Sequence, residues 1–186
     1  VNQSEDRAQL CAISNPTAIP VQTVFLSGNR LLVLSDTGYA AVYDLTGQEL
    51  FRYPYGDRRL VAAEVGDTYI AMVFGSSAQE NSVLVTVDHD LQPMGQLSVE
   101  GTPSSLAATA KGVYLLVGQE VLAFTPAAAL QDELLAEDKT YGLVWGGQPL
   151  LVTATGAQPL AQMLDPAAVS SPSATPATIS GEPPSQ

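Results

Sequence analysis

At 186 residues, 46% of them apolar, the chain is long enough to bury a full core as one domain. Its 19 acidic residues outweigh 7 basic ones to a net charge of −12, a field that repels phosphate backbones and argues against nucleic acid as a partner. The single cysteine excludes an internal disulfide, and no apolar run reaches the roughly 18 residues of a membrane-spanning helix.

Residues 1–19 contain one apolar run, 8–13, read as a strand that could complete a blade. Cys11 lies within it without a histidine-bearing motif, so an inert buried thiol is expected. The chain then repeats itself. A run at 21–26 leads to a Gly28 turn and a continuous apolar run, 31–34, as expected of a strand buried on both faces. Ser35, Asp36, Thr37 and Gly38 supply turn chemistry before the run 39–43. Asp44 to Gly47 turn the chain again into 49–53. The same order recurs at 60–65, 69–74, 83–87 and 94–99, and again at 105–110, 113–117 and 121–124. A last, weaker unit occupies 141–145, 150–154 and 159–164. Polar residues 75–82 read as an insertion that lengthens one hairpin loop. In the third unit Thr125 and Pro126 open a stretch with helix chemistry, so a helical turn is allowed at 126–129, ahead of a strand at 133–136.

Four short strands per unit of about 40 residues describe a β-propeller blade. The predicted fold is all-β, a propeller-like array of about four blades built from antiparallel meander sheets. The blades are expected at 20–57, 60–100, 104–138 and 141–165. A β-sandwich is the runner-up, but a sandwich does not demand a fixed period. Leu32, Met72, Leu115 and Leu151 fall in the second strand of each unit and are expected to be almost fully buried. Four blades make a small ring, so the array is expected to be open and to self-associate through its terminal blades. Residues 166–186, rich in Ser, Pro, Ala and Thr, lack an apolar face and are expected to be disordered.

Asp88-His89-Asp90 is the one cluster with metal or acid–base character, two carboxylates flanking the sole imidazole. Asp88 stands where Asp44 stands in the preceding unit, directly after the third strand, so Asp44, Asp88, His89 and Asp90 read as structural turn residues. No serine carries a nucleophile elbow and no Gly-rich phosphate loop occurs, so neither catalytic residues nor a metal site are expected. Phe51, Arg52, Tyr53, Tyr55, Arg58 and Arg59 concentrate aromatic and arginine side chains, the residue types of interface hot spots. They form the candidate interaction surface. The alternative is an outer strand with Phe51 and Tyr53 turned inward and Arg52 outward.

Gly28-Asn29-Arg30-Leu31-Leu32-Val33-Leu34, with Tyr43-Asp44, Gly47 and Leu50 in a "yD-x-x-G-x-x-l" hairpin, resembles blades of WD40-like and PQQ-like β-propellers. Over about residues 8–164 the pattern also resembles the C-terminal half of membrane-anchored, extracytoplasmic propeller-like proteins of Gram-positive gut bacteria. The WD dipeptide and the tryptophan-docking motif are absent, and Trp145 stands alone. The resemblance therefore implies no quinone or other cofactor and carries over no catalytic residue. It implies a non-catalytic binding or scaffold module outside the cytoplasm, with a protein partner or a second copy, and with membrane contact only through an anchor upstream of this chain. The alternative function is a piece of a propeller enzyme whose active site lies in further blades.

Overall fold

The computed structural model describes residues 18–76, 79–136, 139–145 and 148–160. Within them the chain is all-β, in four antiparallel sheets. The first blade is β1 (Pro20–Leu26), β2 (Arg30–Ser35), β3 (Gly38–Asp44) and β4 (Glu49–Gly56). The second is β5 (Arg59–Val65), β6 (Tyr69–Ser76), β7 (Gln79–Asp88) and β8 (Pro93–Val99). The third is β9 (Ser105–Ala108), β10 (Val113–Val117), β11 (Glu120–Phe124) and β12 (Leu130–Leu135). The fourth is β13 (Thr140–Trp145), β14 (Pro149–Thr153) and β15 (Ala157–Pro159). Each sheet pairs its strands in sequence order, and the leading strands β5, β9 and β13 contact one another in turn. The result is a propeller-like array of blades stacked face to face.

The continuous apolar runs explain this stacking. In the first three blades the second and third strands lie inside the sheet, and their buried residues meet protein on both faces. Even numbered residues of β2, Leu32 and Leu34, join Ile70, Met72 and Phe74 of β6 in the core between the first two blades. The opposite face of β6, Tyr69, Ala71 and Val73, meets Val113 and Leu115 of the third blade. Tyr114 and Leu116 then meet Leu143 and Leu151 of the fourth. Leu32, Met72, Leu115 and Leu151 are all fully buried. Outer strands alternate instead, and β4 turns Phe51 and Tyr53 toward the core while Arg52 faces solvent.

Tyrosine hydroxyls tie neighbouring blades. The Tyr69 hydroxyl donates to the Thr109 carbonyl at 2.7 Å, and that of Tyr114 to the Leu160 carbonyl at 3.2 Å. Burial, the largest cause in each case, pushes the phenols of Tyr43, Tyr55, Tyr69 and Tyr114 up to about 12. Above pH ~10 an unfolded chain ionises these groups while the folded chain holds their protons. Their contribution is therefore complete below pH ~10 and is lost as pH rises toward 12, by up to ~1.4 kcal/mol per pH unit for each tyrosine. Urea midpoints are expected to collapse in that window, and ultraviolet titration of the folded protein is expected to show four of the seven tyrosines ionising late.

One loop closes the β3–β4, β7–β8 and β11–β12 hairpins. In each, residue 1 donates its amide to the carbonyl of residue 5, and residue 4 donates back to the carbonyl of residue 1 (Asp44, Gly47 and Gln48; Asp88, Leu91 and Gln92; Thr125, Ala128 and Ala129). Residue 4 is left-handed every time: Gly47 at φ 86°, Leu91 at 58° and Ala128 at 57°. The helical turn allowed at 126–129 is therefore corrected to a hairpin turn. Thr125 Oγ1 accepts from the Ala129 amide at 3.1 Å, and β12 then pairs along β11. The insertion is corrected as well. Residues 75–82 do not form one loop, because β6 continues to Ser76, β7 begins at Gln79, and Gly75 pairs with Ser82. The expectations for 8–13, Cys11 and 166–186 lie outside the described residues.

Shared backbone with buried side chains of different size predicts opposite outcomes for one substitution. Ala128→Gly relieves a left-handed alanine, a conformation that costs roughly 1–2 kcal/mol, and removes only a methyl group. It is expected to leave the unfolding midpoint unchanged or raised. Leu91→Gly relieves the same strain but removes a side chain that is 2% exposed in the inter-blade core. A loss of about 2–5 kcal/mol from the emptied site outweighs the relief, so the midpoint is expected to fall.

A candidate binding cleft at the upper end of the blades

A meander places its turns alternately at two ends. One end, here called lower, gathers the β1–β2 and β3–β4 turns and their equivalents. The upper end gathers the β2–β3 type of turn and the connections between blades. The lower end holds the turn residues. Asp44 Oδ1 accepts from the Thr46 hydroxyl at 2.6 Å, the Thr46 amide at 2.8 Å and the Gln48 amide at 3.0 Å. These bonds, the Thr46 hydroxyl foremost, hold the Asp44 carboxyl below the usual carboxylate range. Asp88 Oδ1 repeats the pattern with the amides of Asp90 at 2.9 Å and Gln92 at 2.8 Å. His89 Nε2 lies 2.9 Å from the Gly66 carbonyl, and Asp90 forms an ion pair with Arg30 of the first blade. Asp88 thus serves its own turn, while His89 and Asp90 turn to Gly66 and Arg30. No group of three metal-ligating side chains comes together among the described residues.

The upper end carries a cleft of about 510 Å³, a size typical of ligand sites. Asp57 and Arg58 of the β4–β5 connection form one wall, with Arg59 and Val61 of β5. Thr37 comes from the first blade, Gly75 from β6, and Thr102 from the β8–β9 connection. The connection is held in place by the Arg58 amide, which donates to the Tyr55 carbonyl at 3.3 Å, and by the Leu60 amide, which donates to the Asp36 carbonyl at 2.7 Å. Gly56, at φ 64°, makes the turn that leads into it. Gly75 matters for a different reason, since a Cβ there would sit 2.8 Å from Val61 Cγ2.

The six aromatic and arginine residues of the candidate surface divide between core and cleft. Phe51 and Tyr53 lie against the inter-blade core, and Tyr55 is buried. The Tyr55 ring is 4.7 Å from that of Phe74, and its hydroxyl accepts from the Ser35 amide at 3.0 Å while donating to the Ser35 carbonyl. Arg52 bonds both carboxylate oxygens of Glu49 and lies 3.9 Å over the Tyr39 ring. Only Arg58 and Arg59 reach the cleft, where both are exposed. Among the described residues neither has a side-chain partner, whereas Arg30 and Arg52 are both committed to carboxylates. Thr37, Val61, Gly75 and Thr102 carried no signal as site residues in the sequence, because nothing local distinguishes them from other strand and turn residues.

Four meander sheets stacked face to face define a β-propeller-type fold. The likeness to solved structures agrees. The chain is similar to the WD40 domain of Neurospora crassa Pan2, with a TM-score of 0.55 at 12% identity over 78% of this chain and 49% of that one. It is similar to BBS1N in its complex with ARL6DN, with a TM-score of 0.55 at 15% identity over 78% of this chain and 53% of that one. It is also similar to the computationally designed protein Ika8, with a TM-score of 0.56 at 15% identity over 82% of this chain and 51% of that one. The chain thus spans about half the length of the propellers it matches. No protein-family model and no curated protein matches its sequence.

Proposed function

We propose that the chain is a non-catalytic propeller module that binds or scaffolds a protein partner through its upper end. The observation that carries this reading is the cleft between the first two blades, where Arg58 and Arg59 stand uncommitted beside Val61. Among the described residues no carboxylate pairs with either arginine, whereas those of Asp90 and Glu49 are taken by Arg30 and Arg52. Such side chains next to an exposed aliphatic one are the groups that interfaces use as anchors. BBS1N, of the same fold kind, was solved in complex with a protein, which supports a protein partner here. The resemblance of about residues 8–164 to membrane-anchored, extracytoplasmic propeller-like proteins supports a location outside the cytoplasm.

Site-directed photo-crosslinking in the native host tests the reading. A crosslinkable residue at Thr37, in the cleft, is expected to trap one discrete protein partner. The same residue at Thr46, at the lower end, is expected to trap none. Equal yield from both positions, or no adduct from Thr37, overturns the proposal.

A further inference from the structure

We propose that the upper cleft recognises a carboxylate carried beside an aliphatic side chain, so that the partner docks through a short acidic and aliphatic segment. The inference rests on the binding reading above and names the chemistry of that site. Three observations carry it. First, Arg58 and Arg59 offer planar forks of N–H donors in a cleft where no described side chain occupies them. A guanidinium fork matches a carboxylate or phosphate through paired hydrogen bonds. Second, Asp57 lines the same cleft, so the three charged groups there sum to a single positive charge. One carboxylate balances that charge, whereas a phosphate dianion would overshoot it and meet Asp57 at close quarters. The net charge of −12 on the whole chain adds to this selection, since only a locally matched anion overcomes the surrounding field. Third, the charged wall ends on Val61, which is 43% exposed and abuts Gly75, so an aliphatic neighbour of the carboxylate gains apolar contact.

Nitrogen-15 NMR of the full chain, observing arginine Nε–H signals, reads the site directly. The probe is the tripeptide N-acetyl-Leu-Glu-Leu-amide, with N-acetyl-Leu-Gln-Leu-amide and inorganic phosphate as the contrasting ligands. The Arg58 and Arg59 signals are expected to shift saturably with the Glu peptide, and those of Arg30 and Arg52 to stay in place. Affinity is expected to fall at least tenfold for the Gln peptide and for the Arg58→Gln/Arg59→Gln variant. Both positions are exposed, and an unchanged amide spectrum elsewhere will show that the variant is folded. Equal binding of the Gln peptide, equal binding by the variant, or no saturable shift overturns the proposal. Phosphate binding tighter than the Glu peptide overturns it in favour of a phosphorylated ligand. If Thr37 still traps a protein while the tripeptide fails, the carboxylate assignment falls and the binding reading stands.

Discussion

Gly95→Ala is expected to be the most damaging small substitution in the molecule. Gly95 lies in β8, the outer strand of the second blade, opposite Thr86. A Cβ there would sit 1.9 Å from the Ala127 carbonyl oxygen and 2.3 Å from its carbon. Those atoms are backbone, locked in the hairpin turn whose ends are bonded between Thr125 and Ala129. A rotamer change cannot relieve the overlap, so the two blades must separate. Separation would loosen the cluster that joins Leu84 and Val99 to Phe124 and Ala128. Overpacking typically costs about 1–3 kcal/mol, and a clash with fixed backbone belongs at or above the top of that range. Gly56→Ala is the control. It forces alanine into φ 64° but meets nothing within 4 Å, so it is expected to lose only the roughly 1–2 kcal/mol of left-handed strain. Urea denaturation of both variants checks the order, and a Gly95→Ala midpoint equal to or above that of Gly56→Ala would refute the close approach.

Phe74→Ala is expected to cost about 3–5 kcal/mol, a large fraction of the 5–15 kcal/mol typical of a whole domain. Phe74 is 1% exposed at the junction of the first two blades, where it meets Tyr55, Leu34 and Val85 in one cluster. Its removal would empty the space directly behind the β4–β5 connection, so the Arg58 and Arg59 signals are expected to broaden along with the loss of stability. Phe74→Leu, which keeps most of the volume, is expected to lose less than about 1.5 kcal/mol. A Phe74→Ala loss no larger than that of Phe74→Leu would show that the blades are not held together at this ring.

The parts legible in the sequence are those dictated by local pattern. Runs such as 31–34 and 69–74 are apolar at every position, and only a strand with protein on both faces accommodates that. Asp44 and Asp88 follow such runs at equivalent places, and a carboxylate there satisfies the amides of its own turn whatever the rest of the chain does. Burial of Leu32, Met72, Leu115 and Leu151 follows from the same periodicity.

The tertiary structure decided what depends on neighbours far along the chain. Thr125 and Ala128 share no letters with Asp44 and Gly47, yet they build the same turn, because β12 must pair with β11 and the ladder imposes the backbone. Leucine holds the left-handed position at 91 because its side chain is buried in the inter-blade core, a gain invisible from composition. Phe51, Tyr53 and Tyr55 stand next to Arg58 and Arg59 in sequence, but alternation along β4 commits the aromatics to the core and leaves the arginines at the blade end. The cleft itself joins Thr37, Gly75 and Thr102 to those arginines across two blades. Strand pairing is encoded over a few residues and can be read from them, whereas a site between blades exists only once both faces have packed.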